Sequence, residues 1–224
     1  IGTRLSSTSA SGTRKAFMTP CTSVLSFMGE TRSGARRAAE LTAYQDAAYA
    51  ARYTALVERV RRAEAALGDA AELPLTRAVA QAYFKTLAVK DEYEVARLYA
   101  ETDFLQQIEA NFEGDYRINF HLAPPLFARP DPRTGRIRKM QFGPWMLGAM
   151  RRLAKLRRLR GTAWDIFRFG AERRLSARLL ADYEADVALI LERLCAANLK
   201  TATELAALPE HIRGYGAVRE RSAA

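Results

Sequence analysis

Three observations predict a mainly α-helical protein that carries a small antiparallel β hairpin or sheet. Apolar residues recur at steps of three and four over most of the chain after Arg36, as one face of a helix requires. One stretch, Tyr116–Leu122, switches to a two-residue period. Glycine, proline and aspartate gather between these stretches, where turns need them.

The elements follow in order. From Arg36 to Leu67, Leu41, Tyr44 and Ala48 lie on one stripe, and Tyr49, Tyr53, Leu56, Val60 and Leu67 on an adjoining one. Gly68-Asp69 is a stop signal. Pro74 suits the first turn of a second helix, continued by Val79, Tyr83 and Leu87. Asp91 to Tyr99 is charged and helical, and Phe104, Leu105, Ile108 and Phe112 extend that region to Gly114. Tyr116, Ile118 and Phe120 alternate with Arg117, Asn119 and His121, which reads as a strand. Asp131-Pro-Arg-Thr-Gly135 is a turn signal, and Ile137–Phe142 is the returning arm. After Gly143-Pro144 the helical period returns. Met146, Met150, Leu153 and Leu156 share one face, with Arg151, Lys155 and Arg158 opposite, and Gly161 closes the helix. A longer helix is predicted from about Ala171 to Ala196, striped by Leu175, Leu179, Val187, Ile190 and Leu194. Thr201-x-x-Glu204 has the pattern of a capping box opening a short helix that Pro209 ends.

The domain organisation expected is one helical domain over 36–224, around one core, with the β insertion at about 116–142. Residues 1–35 differ in kind. They hold thirteen Ser or Thr, several Arg, one acid (Glu30) and no sustained periodicity, so they are expected to lack regular structure. Arg- and Ser-rich, acid-poor composition also resembles an organelle transit peptide. The chain begins at Ile1, which suggests a fragment, with 1–35 out of frame or unrelated to the rest.

A chain of 224 residues can bury a sizeable core without a metal or disulfide staple. Its two cysteines, Cys21 and Cys195, are far apart and outside any Cys-x-x-Cys pair; four thiolates are needed for an iron–sulfur cluster. Cys195 is expected inside an apolar helix face. This usage fits a reducing cytoplasm. No run of eighteen apolar residues marks a membrane span, and no signal peptide stands out. Phosphate-binding Gly-Lys-Ser/Thr, Gly-x-Gly-x-x-Gly and Gly-x-Ser-x-Gly motifs are absent, which argues against familiar nucleotide-dependent enzymes and hydrolases.

The net charge of +10 is local. Arg129–Arg160 holds eleven basic residues and one acid, so this segment carries the whole excess. Arg129, Arg133, Arg151, Arg152, Lys155 and Arg158 are the candidates for binding an acidic partner. A solvated helix face explains the same residues, with the arginine stems covering apolar neighbours. Nucleic acid is not expected, because no recognised binding motif accompanies the charge. The carboxylates Asp91, Glu92 and Glu94 read as surface pairing, with Lys90 four residues from Glu94. His121 and His211 are ninety residues apart in sequence and read as structural, although either could serve as a base. The tyrosines and phenylalanines at helical spacing read as core. No residue is assigned a catalytic, cofactor-binding or metal-binding role.

Five blocks resemble a known family. They are Tyr83–Tyr99, Phe112-Glu-Gly-Asp-Tyr116, Phe120-His-Leu-Ala-Pro-Pro-Leu-Phe127, Gln141-Phe-Gly-Pro-Trp-Met146 and Leu208–Gly216. Together they resemble the C-terminal region of the single-chain bacterial indolepyruvate:ferredoxin oxidoreductases, over about Ala39 to Arg221. The resemblance implies thiamine diphosphate, coenzyme A and [4Fe-4S] clusters for the parent enzyme, which oxidises 2-oxoacids and passes electrons to ferredoxin. Those cofactors belong to upstream segments; this chain lacks the Gly-Asp-Gly fingerprint and the clustered cysteines. The resemblance therefore implies a cytoplasmic accessory domain, inactive alone, that docks on the upstream catalytic domains, with Trp145 as the docking candidate.

Overall fold

The computed structural model describes residues 2–7, 17–18, 34–68, 73–112, 114, 116–122, 139–212 and 222. It is mainly helical. The described helices are α1 (Gly34–Tyr44), α2 (Ala47–Ala65), α3 (Pro74–Leu87), α4 (Glu92–Ala100), α5 (Phe104–Asn111), α6 (Met146–Lys155), α7 (Ala171–Arg193) and α8 (Leu199–Ala207). Strands β1 (Gly2–Ser7), β2 (Phe17–Met18), β3 (Tyr116–Leu122) and β4 (Met140–Phe142) form an antiparallel sheet in the order β2-β1-β3-β4. Strands β3 and β4 of the expected hairpin pair antiparallel, with Phe120 opposite Phe142 and Leu122 opposite Met140; the expected turn at 131–135 and the start of the return arm lie outside the described residues. Strands β1 and β2 lie where no regular structure was expected. Strand β1 pairs with β3, far along the chain, and β2 pairs with β1; local composition does not report such a distant partner. Gly34 and Ala35, the end of the expected tail, begin α1, and the remainder of that tail, apart from β1 and β2, lies outside the described residues.

The chain forms two compact units, one of residues 1–30 and 90–159 and the other of 31–89 and 160–224. Each has its own apolar cluster, where the sequence suggested one core. Helical periodicity marks which faces are buried but not which faces meet.

In the unit of 31–89 and 160–224, the core gathers Leu41, Tyr53, Val60, Leu75, Val79, Tyr83, Leu87, Tyr183 and Val187. Tyr83 stacks between Tyr53 and Tyr183, with ring centroids 5.9 and 6.0 Å apart. Their hydroxyls would be costly to bury alone. Tyr53 donates to the Ala80 carbonyl (3.2 Å), Tyr183 to the Ala206 carbonyl (3.0 Å) and Tyr83 to the Glu184 carboxylate. The single helix expected over Arg36–Leu67 is two. Asp46 breaks it, accepting the Tyr49 amide at 2.8 Å as N-cap of α2. This turns Ala48 out to solvent.

Helix α3 starts without a side-chain cap of its own, since Leu73 precedes it and Pro74 has no amide hydrogen. Buried Glu64 from α2 substitutes. Its carboxylate accepts the amides of Leu75 (2.8 Å) and Thr76 (2.7 Å) and the Thr76 hydroxyl (2.6 Å). An anion there also meets the positive end of the helix dipole.

In the unit of 1–30 and 90–159, Ala96, Tyr99, Phe104, Ile108, Phe120, Met150 and Ala154 form the core, and α6 packs on α4. Tyr99 lies edge-on to both Phe104 (4.8 Å) and Phe120 (5.5 Å). The region from Asp91 to Gly114 is again two helices, α4 and α5. The predicted stripe of α6 needs one correction. The helix tightens to a 3-10 turn at Leu156–Leu159, so Leu156 is exposed and Ala154 takes the buried position.

Further corrections concern the C-terminal third. Helix α7 ends at Arg193, so Cys195 lies beyond it and is exposed rather than buried. The capping box sits at Cys195 and Asn198, on the 3-10 turn Ala196–Asn198. Thr201 and Glu204 lie inside α8, which starts at Leu199.

Candidate functional site

The basic segment is divided by the fold. Arg151, Arg152 and Lys155 project from α6 into solvent, opposite buried Met150 and Ala154. Arg158 is also exposed, but from the 3-10 turn. Arg157 pairs with Glu101 at 3.0 Å and donates to the Ala154 carbonyl. Arg160 is buried: it donates to the Tyr44 carbonyl at 2.6 Å and its guanidinium lies 3.6 Å from the Tyr44 ring centroid. Arg129 and Arg133 lie outside the described residues. Among the described residues of the segment, Lys139, Arg151, Arg152, Lys155 and Arg158 are exposed, whereas Arg157 and Arg160 are engaged by the fold.

Trp145, the docking candidate, is 65% exposed at the start of α6. Its ring lies edge-on to half-buried Phe142 at 5.9 Å.

The carboxylates Asp91 and Glu94 are buried, not surface groups. Asp91 caps α4 by accepting the Glu94 amide (2.8 Å), and Glu94 forms a two-bond pair with Arg97 (2.7 and 2.8 Å). Their chemistry is spent on the helix start. His121 Nε2 is enclosed without a hydrogen-bond partner among the described residues, and His211 is exposed on the 3-10 turn Leu208–His211.

Sequence reasoning missed two features. One is a polar clamp across α2, α3 and α7. Arg52 holds Glu184 with two bonds (2.7 and 2.6 Å), and Tyr83 donates to the same carboxylate. Burial pushes the Glu184 carboxyl up, but the hydrogen bonds from Arg52 and Tyr83 outweigh it and hold the group below its ordinary range. Burial and the neighbouring carboxylate push the Tyr83 hydroxyl well above the tyrosine range. An ionised acceptor and a protonated donor form a structural clamp, not a proton-transfer pair.

The other is the loop from Gly161 to Gly170. It is wound around the fully buried carboxylate of Asp165, which accepts the amides of Gly161 (2.9 Å) and Phe167 (3.0 Å) and pairs with Arg173 (3.6 Å). Gly161, with φ of +74°, makes the entry turn that a side chain would strain. On the outside stand Trp164 (78% exposed), Ile166 (56%) and Phe169 (73%). These residues have no helical or alternating period, so no sequence pattern marked them.

Among the described residues, no three His, Cys, Asp or Glu side chains gather closely enough to hold a metal ion, and no helix is long and apolar enough to cross a membrane. No curated protein and no solved structure matches the chain. Residues 32–224 match a family of unknown function, DUF6537, and the chain belongs to that family.

Proposed function

We propose that the chain is the C-terminal accessory domain of a 2-oxoacid:ferredoxin oxidoreductase of the indolepyruvate type, docking on the catalytic domains without catalytic groups of its own. Two things support this. The five blocks resembling that enzyme lie within the family match. The carrying observation is Trp145: in one of those blocks, a large apolar ring is left mostly in solvent by its own fold. Trp is among the residues that dominate protein interfaces when they fill a partner's pocket.

Thiamine diphosphate, coenzyme A and the [4Fe-4S] clusters are then held by the upstream catalytic domains, and ferredoxin is the acceptor of the parent enzyme. The chain's residues do not fit a cluster, since it has two cysteines where four thiolates are needed. Co-expression of the tagged chain with the catalytic portion tests the reading. Recovery of a complex is expected, reduced about tenfold by Trp145→Ala; undiminished recovery contradicts the assigned docking point.

A second reading, a stand-alone module for an acidic protein or a nucleic acid, is favoured by the exposure of Arg151, Arg152, Lys155 and Arg158. It predicts binding that falls with salt and is abolished when Arg151, Lys155 and Arg158 are replaced by Glu. Binding that survives this charge reversal removes it.

A further inference from the structure

The geometry points to the loop Gly161–Gly170 as a preformed docking knuckle, which inserts Trp164, Ile166 and Phe169 into an apolar socket ringed by carboxylates on the catalytic domains. This rests on the accessory-domain reading and adds to it a second contact surface and the chemistry of the partner's side.

The first argument is exposure without looseness. Three large apolar side chains stand in solvent, and none belongs to either core cluster. The backbone beneath them is nonetheless fixed. Asp165 holds both ends of its turn, Trp164 donates its amide to the Thr162 hydroxyl (3.2 Å), and the amides of Asp165, Arg168 and Gly170 close successive turns. A preordered loop loses little conformational freedom on binding.

Charge supplies the second argument. Arg174 donates to the Phe169 carbonyl at 2.5 Å, so α7 begins at the knuckle's edge. Arg168 lies over the Phe169 ring, 5.0 Å from its centroid. One turn beyond Arg174 is Arg178, and all three arginines are exposed. The two acids between Arg160 and Arg178 do not offset them: Asp165 is buried inside the loop and Glu172 is half-buried. An apolar centre with a guanidinium rim complements an apolar socket with a carboxylate rim. The hydrogen bond that holds Arg174 on the Phe169 carbonyl sets the position of its charge, which favours a protein surface of set carboxylates over a fluid layer of lipid headgroups.

The test measures binding of the full chain to the purified catalytic portion by biolayer interferometry at two salt concentrations. The double variant Trp164→Ala/Phe169→Ala is expected to weaken binding by tenfold or more, on the order of a hot-spot loss, with its thermal midpoint unchanged. Arg168→Glu/Arg178→Glu is expected to weaken binding and flatten its salt dependence. Double-variant binding within about twofold of wild type overturns the knuckle while leaving the accessory-domain reading intact. Failure of the wild-type chain to bind overturns both. Binding to anionic phosphatidylserine vesicles that both variants abolish, with protein binding unaffected, replaces the protein partner by a membrane surface.

Discussion

The tyrosine stack of Tyr53, Tyr83 and Tyr183 and the knuckle of Trp164, Ile166 and Phe169 belong to the same compact unit and put large apolar side chains to opposite uses. The stack is buried, and every hydroxyl in it has a partner. The knuckle is solvated, and the buried, partnered group is the carboxylate beneath it. In the stack, helical spacing from α2, α3 and α7 brings the rings together, and packing is their role. In the knuckle, a buried acid fixes a loop so that apolar groups stay outside.

Mutations that separate stability from binding sharpen that contrast. The largest effect is expected at the stack: Tyr83→Ala should destabilise the chain by about 3–5 kcal/mol in urea unfolding, through the cavity and the lost Glu184 bond. A loss no larger than that of an ordinary surface change would break the contrast. Next comes Glu64→Ala, which leaves the first amides of α3 buried without an acceptor; about 1–3 kcal/mol is expected. Smallest should be Trp164→Ala and Phe169→Ala, each within about 0.5 kcal/mol of wild type in the same assay.

Between these lies a pH effect. The Glu184 carboxyl is held below its ordinary value in the folded chain. Its contribution is therefore fully present above the unfolded value of about 4.3 and is lost as pH falls through the lower folded value. Arg52→Gln should shrink this acid-side loss, which unfolding curves between neutral and strongly acid pH would read.

What was legible in the sequence follows the same division. The rows Tyr53-Leu56-Val60 and Val79-Tyr83-Leu87 repeat at helical spacing, and all are buried as read. The Phe120 strand and its return arm were legible from alternation. Helix starts at Pro74, Asp91 and Ala171 were legible too, but the break at Asp46 was not: it ends one helix and begins the next by accepting the Tyr49 amide, a geometry that a polar residue in a helical run does not disclose. Arg160 was counted with the exposed bases, yet its partner is the Tyr44 carbonyl and ring, distant in sequence. The exposed positions of Arg151 and Lys155 were legible because they lie away from the apolar stripe of a helix with a readable wheel. The knuckle was not, since its order comes from Asp165 rather than from a repeating pattern.

The most direct test of docking is calorimetric titration of the wild-type chain into the catalytic portion at several temperatures. Saturable binding with a negative heat-capacity change, smaller in Trp145→Ala, is the predicted result, because burial of exposed apolar rings produces it. Absence of binding, or binding with no heat-capacity change, would contradict an accessory domain that docks through its exposed aromatic residues.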